Sequence, residues 1–326
     1  METQAVDPRR RLLRRHPDNP VLTSFDWPYF INTVFNAGAT RLPSGETLLL
    51  CRVEDCSGQS HLCAARSADG VRGWQIDAQP TLKPAVELYP EEVWGIEDPR
   101  VVWVPELEQY AITYTCYSRT GPGVSLALTK DFKTFERVGN VMPPEDKDAA
   151  LLPEKVKGRW AMIHRPVSPM GGAHIWMSFS PDLKHWGDHT MILPARRGPW
   201  WDANRIGLSP PLIPCDEGWL MMYHGVKGTV AGALYRVGLA LLDRDDPTKC
   251  LVRSNRWIFG PETEYERTGD VGDVVFPCGY TLGDDGDTLH LYYGAADTCI
   301  ALATGSVREM VSWLKDVGIP AHAIDG

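Results

Sequence analysis

Val124–Phe135 reads VSLALTKDFKTF, and it decides the fold class. A short apolar run leads into Thr-x-Asp, and Phe135 follows four residues after Asp131. In such a segment the Thr and Asp side chains accept turn N–H groups, and the aromatic packs back on the strand. The same order recurs twice. "HLCAARS" runs into "SADGVRGW" (Ser67–Trp74), and "IWMSFS" runs into "SPDLKHW" (Ser180–Trp186). A motif that returns every ~50–60 residues in a chain of short strands points to propeller blades. At that period, 326 residues hold about five or six of them.

The rest of the chain agrees. "TLLLCRV", "YAITYTCYS", "GWLMMYHGV", "YRVGLALLD", "LHLYYGAAD" and "CIALATG" are rich in β-branched and aromatic residues, with Gly, Pro, Asn or Asp between them. Helical periodicity is confined to "VREMVSWLKDV", 307–317. There Val307, Met310, Val311, Leu314 and Val317 share one face. The expectation is an all-β single domain, 1–326, with a short C-terminal helix and an N-terminal arm over residues 1–24. The basic run Arg9–Arg15, "RRRLLRR", reads as a solvated part of that arm.

Composition excludes several functions. Net charge is −9, which argues against a nucleic-acid partner. No stretch has the ~20 apolar residues that span a bilayer, and the N-terminus lacks an apolar signal core. A cytoplasmic protein is therefore expected. The eight cysteines form no CxxC pair, so neither a disulfide framework nor zinc is expected. His185 and His189 have ligand-like spacing but fall in a turn, and no metal site is assigned to them.

A propeller gathers its functional residues from different blades around one channel mouth. Scattered polar residues at strand ends are thus the place to look. They are Asn36, Arg52, Asp55, Asp98, Lys147, Asp148, His164, Arg165, Asp202, Arg205, Tyr223, His224, Tyr235 and Asp297. Singly, each has a structural reading. Arg52–Asp55 would be an edge ion pair, His164 and His224 satisfied core histidines, and Asp98 a turn cap before Pro99. Together they combine a carboxylate with Lys, Arg and His. That is what a site needs if it donates a proton and also holds an anion such as phosphate.

The blocks "FNAGAT", "LLLCRVED", "GIEDPRVVWV", "KDAALLPEKVKGRWAMIHRP", "GWLMMYHGV", "PETEYERTGDVGDVVFPCGY" and "LYYGAADTCIALA" occur in order over residues 35–313. With them the sequence resembles the family 130 glycoside hydrolases and phosphorylases, five-bladed propellers active on β-mannosides. The resemblance implies that Asp98 is the proton donor of a single inverting displacement in which phosphate attacks the anomeric carbon. It implies phosphate contacts at Lys147, Arg165, Arg205, His224 and Tyr235, and mannose contacts at Asn36, Arg52, Asp55 and Asp297. No cofactor is implied beyond phosphate as co-substrate. Arg205 and Lys147 depart from the family pattern, which has Lys and Arg there, and Asp273 stands where Asn is expected. An inverting hydrolase needs a second carboxylate to activate water. The implied function is phosphorolysis of a β-mannoside, β-1,4-linked by expectation, to α-mannose 1-phosphate. A β-mannosidase of the same fold and a non-catalytic carbohydrate-binding propeller are the alternatives. Trp27, Tyr29, Tyr89, Trp94, Tyr117, Trp200 and Trp201 are candidates to stack on a sugar. The terminal arm and helix offer surfaces for homo-oligomerisation.

Overall fold

The computed structural model describes residues 11–168, 172–230 and 232–320. Leu13–Arg15 (β1) is followed by an antiparallel sheet of Thr33–Arg41 (β2), Thr47–Glu54 (β3), Ser60–Ser67 (β4) and Gln75–Ile76 (β5). Ile96–Val104 (β6), Gln109–Ser118 (β7), Gly121–Thr129 (β8) and Glu136–Met142 (β9) form the next. Then come Asp146–Leu151 (β10), Trp160–Ser168 (β11), Gly172–Ala173 (β12), Ile175–Ser180 (β13) and Gly187–Leu193 (β14). Arg205–Leu208 (β15), Ile213–Cys215 (β16), Gly218–Thr229 (β17), Gly232–Leu242 (β18) and Cys250–Arg253 (β19) follow. One parallel pairing, Ala173 with Arg205, joins these two runs into an eleven-stranded sheet that also includes Ile319–Pro320 (β23). Val275–Leu282 (β20), Thr288–Ala295 (β21) and Cys299–Ser306 (β22) form the last sheet, and β1 completes it by pairing with β22. The α-helices among the described residues are Glu264–Arg267 (α1) and Val307–Val317 (α2).

The strands read as continuous apolar runs because most sheets are covered on both faces. Leu48 and Leu50 pack into one core with β6, β7 and β8. The alternate residues Leu49 and Cys51 pack into another, with Tyr292, Ile300 and Leu302 of the last sheet. Three further cores join β6–β8 to β10–β11, β11–β13 to β15–β17, and β17–β18 to β20–β22. Each antiparallel run thus packs on the next, and the last packs on the first.

The recurring turn works as its residues suggest. Ser67 Oγ accepts from Gly70 N, and Asp69 Oδ1 accepts from Val71 N and Arg72 N. Thr129 with Asp131 and Ser180 with Asp182 repeat the arrangement. Two further copies escape the sequence pattern. After β18 the cap is an Asp: Asp243 Oδ1 accepts from Asp245 N and Asp246 N. After β22 the equivalent Ser306 accepts from Glu309 N and starts α2 in place of a turn.

The N-terminal segment differs from the solvated arm expected of it. Arg9 and Arg10 lie outside the described residues, but Leu12 and Leu13 are buried in the core that holds α2. Arg15 pairs with the buried Glu266 at 2.7 Å and lies 4.5 Å over Phe259. The basic run hid a strand because its two leucines are too few to show a period. All eight cysteines are free. No helix among the described residues is long and apolar enough to cross a membrane.

If β1 closes the last sheet, Leu13→Ala should destabilise the protein by about 2–4 kcal/mol in chemical denaturation, as for a buried leucine. A change below about 0.5 kcal/mol is what a solvated arm would give.

Candidate active site

Three strands use one device to turn a polar side chain inward. Register slips between Phe35 and Gly38 on β2, between Glu97 and Arg100 on β6, and between Lys147 and Ala150 on β10. Inside the slips sit Asn36, Asp98 and Asp148, with φ of 45°, 49° and 55°. Asn and Asp tolerate this left-handed conformation better than most residues, and a bulge re-aims the side chain it carries. Pro99, in the slip on β6, has no N–H to leave unpaired. This is why "EDPR" can enter a buried strand.

The three residues line one cavity of about 390 Å³. Arg52, Lys147, Arg165, Arg205, His224, Tyr235 and Asp297 line it too. One member of the expected set does not join them. Asp55 lies outside the lining and turns the β3–β4 hairpin, its Oδ1 accepting from Ser57 N and Gln59 N. The expected Arg52–Asp55 pair is likewise replaced, by Arg52 with Glu54, Glu97 and Asp98. His164 is a satisfied core histidine between Asp146 and Ser178, each at 2.6 Å. His185 and His189 diverge, to Asp182 and to Ser178. Of the aromatic candidates, Tyr117 lines the cavity, with Trp94 beside it at 5.9 Å between rings. Trp27 and Trp201 are buried. Asp273 is not in the lining.

At one end of the cavity Asp98, 4% exposed, accepts from Asn36 Nδ2 at 2.9 Å and Arg52 Nη1 at 3.1 Å. Burial raises its pKa, but Arg52, Lys147, Arg100 and the Asn36 bond outweigh this and hold the carboxyl below its ordinary value. Asp297 responds in the opposite sense. Burial and the charge of Asp98 push it up to about 7, against Arg52. The two carboxyls therefore differ in protonation near neutral pH.

The cations gather around Asp148. Its Oδ2 accepts from Arg165 Nε at 2.9 Å and Nη2 at 2.8 Å, and lies 3.4 Å from His224 Nε2. Arg100 Nη2 is 3.4 Å from Oδ1. Asp148 is buried, yet Arg165, His224 and Arg100 hold it well below the carboxylate range. Burial lowers the His224 imidazole despite Asp148, and Arg165 and Arg100 act in the same direction. The cluster closes over Gly207, where a Cβ would lie 2.3 Å from Asp148 and 2.6 Å from His224. Further out, Arg205 Nη2 donates to Tyr235 Oη at 2.8 Å, and Lys147 Nζ stands 4.0 Å from Glu97.

Sequence reasoning missed Glu145, which lines the cavity. It also missed Arg100, which is 1% exposed and donates to the carbonyls of Asp98, Leu208 and Ser209, tying β6 to β15 and the segment after it. An Arg inside an apolar strand was its only signal.

Asp148→Asn leaves two buried arginines without their carboxylate and should cost about 3–5 kcal/mol at neutral pH. Because the folded pKa of Asp148 is depressed, its contribution is present above about pH 4 and is lost as pH falls through the folded value. Denaturant curves of wild type and variant should therefore converge in acid. Asp297 has the opposite sign. Its contribution is full below about pH 4 and is lost as pH rises through about 7. Asp297→Asn should thus stabilise the protein at about pH 8, by on the order of 2 kcal/mol given its partial exposure, and make little difference at about pH 4. A pH-independent effect would rule out this titration.

The family model described as β-1,4-mannooligosaccharide phosphorylase matches residues 14–316. A β-1,2-mannobiose phosphorylase of Listeria innocua is 39% identical over 78% of this chain and 69% of its own. A β-1,4-mannooligosaccharide phosphorylase of Ruminococcus albus is 33% identical over 92% of this chain and 90% of its own. The structure of β-1,2-mannobiose phosphorylase from Listeria innocua with β-1,2-mannobiose superposes with a TM-score of 0.84 at 32% identity, covering 93% of this chain and 99% of the other. The chain therefore belongs to glycoside hydrolase family 130, the family of the β-mannoside phosphorylases.

Proposed function

We propose that this chain is an inverting β-mannoside phosphorylase that releases α-mannose 1-phosphate and the shortened sugar. The observation that carries the reading is the arrangement of Lys147, Arg165, Arg205, His224 and Tyr235 in the same cavity as Asp98. Phosphate is already a nucleophile and needs cations to position it, not a base. Its oxygen bonds to the anomeric carbon while the glycosidic C–O bond breaks. The leaving oxygen takes the proton of Asp98, passed through a mannose hydroxyl. The surrounding cations by themselves favour the ionised form of Asp98. A bound phosphate cancels part of that positive potential and so favours the protonated acid. Asn36, Arg52 and Asp297 hold the mannose, and Tyr117 with Trp94 offers stacking faces to the acceptor sugar.

The sheets and the cyclic order of the five cores support five blades around one axis, with β1 closing the ring. The reading is of a cytoplasmic enzyme that uses phosphate and no other cofactor, with β-1,4-linked mannosides as the expected substrates. A hydrolase is the second reading, because Glu145 also lines the cavity and is a carboxylate available to activate water.

The test is degradation of β-1,4- and β-1,2-mannobiose with and without inorganic phosphate, following mannose 1-phosphate and mannose separately. Phosphate-dependent mannose 1-phosphate is expected. It should fall by at least about 10³-fold in Asp98→Asn and persist in Glu145→Gln. Free mannose formed equally without phosphate, and lost in Glu145→Gln, would establish the hydrolase instead. The ratio of the two disaccharide rates reads out the linkage.

A further inference from the structure

Two cations that line the cavity, Arg52 and Lys147, share a carboxylate that does not line it, Glu97. Its Oε1 accepts from Arg52 Nη2 at 3.2 Å, and its Oε2 lies 4.0 Å from Lys147 Nζ. Successive side chains of a regular strand point to opposite faces. Here the neighbours Glu97 and Asp98 both reach Arg52, through Nη2 and Nη1, because Asp98 sits in the register slip with a left-handed backbone. The bulge that aims the acid therefore also places a second carboxylate beside it.

The two cations depend on Glu97 unequally. Arg52 has other anchors: Nε donates to Ser60 Oγ at 2.9 Å, Nη1 to Asp98 at 3.1 Å and Nη2 also to Glu54 at 3.3 Å, and the guanidinium lies 4.5 Å over Phe35. Of the remaining cations, Arg165 and His224 are fixed by Asp148, and Arg205 donates to Tyr235. Lys147 has no such support. Among the described residues its ammonium makes no hydrogen bond, and Glu97 is the carboxylate within ion-pair distance. Lysine carries a point charge on a flexible stem, so its place follows the charges around it.

The other carboxylates that feel this charge are Asp98 and Asp297, and both are lowered by it. An ammonium drawn onto Asp98 would do harm twice. It would oppose the protonation that a donating acid needs, and it would no longer be offered to an anion in the cavity. A carboxylate behind the lining prevents this, because it competes with Asp98 for the ammonium and takes no part in the reaction. We propose that Glu97 is a positioning residue, whose carboxylate holds the Lys147 ammonium away from Asp98 and in place for phosphate while its other oxygen steadies Arg52. The inference rests on the phosphorylase reading, in which Lys147 faces phosphate and Asp98 is the acid.

The test is steady-state kinetics on the better mannobiose, varying phosphate and sugar in turn, for Glu97→Gln, Glu97→Asp, Lys147→Met and the double variant Glu97→Gln with Lys147→Met. Glutamine is isosteric and keeps an acceptor for Arg52 but loses the charge, and circular dichroism checks the fold. In Glu97→Gln the KM for phosphate should rise at least about five-fold and kcat should fall at least about ten-fold, while the KM for the sugar stays within about two-fold. Glu97→Asp keeps the charge and should hold the phosphate KM within about three-fold of wild type. In the Lys147→Met background the glutamine should change either parameter by less than about two-fold, because the residue through which Glu97 acts is gone. Equal effects of the glutamine with and without Lys147 would overturn the proposal. So would a fall in phosphate KM, the result if Glu97 only repels the anion. If the glutamine variant does not fold, Glu97→Asp still decides, since a phosphate KM more than about three-fold above wild type overturns the proposal. Failure of the phosphorylase reading is distinct and appears first, as wild-type turnover indifferent to phosphate, and it would remove this inference as well.

Discussion

One buried carboxylate organises the centre of the molecule. Asp148 of β10 faces Arg100 of β6, Arg165 of β11 and His224 of β17, all within 3.4 Å and all nearly inaccessible to water. Charges this deep are tolerable only when paired and hydrogen-bonded. Strands remote in sequence must therefore converge until the cluster is complete. The same constraint shapes the chemistry. Asp148 engages two nitrogens of Arg165 and keeps the guanidinium fixed. Such fixed charge costs little reorganisation during reaction.

The bulges connect the fold to that surface. A regular strand would alternate its side chains between two hydrophobic cores, as Leu48–Cys51 do. One left-handed residue on each of β2, β6 and β10 breaks the alternation locally, and Asn36, Asp98 and Asp148 use the break. Beside Asp148 the chain omits a side chain at Gly207, because the carboxylate and His224 fill that space. The geometry of the cavity and the irregularity of the strands are here the same feature.

Much of this was legible in the sequence. The Ser/Thr-x-Asp turns at 67, 129 and 180 marked strand ends because local hydrogen bonding needs those residue types in that order. The apolar face of 307–317 marked a helix for the same local reason. Asp98, Lys147, Arg165, Arg205 and His224 could be singled out because charge beside a buried strand demands an explanation. What depended on partners far along the chain was not legible. Leu12–Arg15 looked like a solvated arm because its stabilisation comes from β22 and Glu266, the latter 251 residues beyond Arg15. Asp55 looked like part of the site, but its carboxylate is consumed by its own turn. Arg100 was hidden because its acceptors lie on β15 and in the segment after it. Sequence determined the local structure and the kinds of charge available. Tertiary structure decided which charges meet, because burial and distance set the strength of an ion pair and neither is a property of one segment.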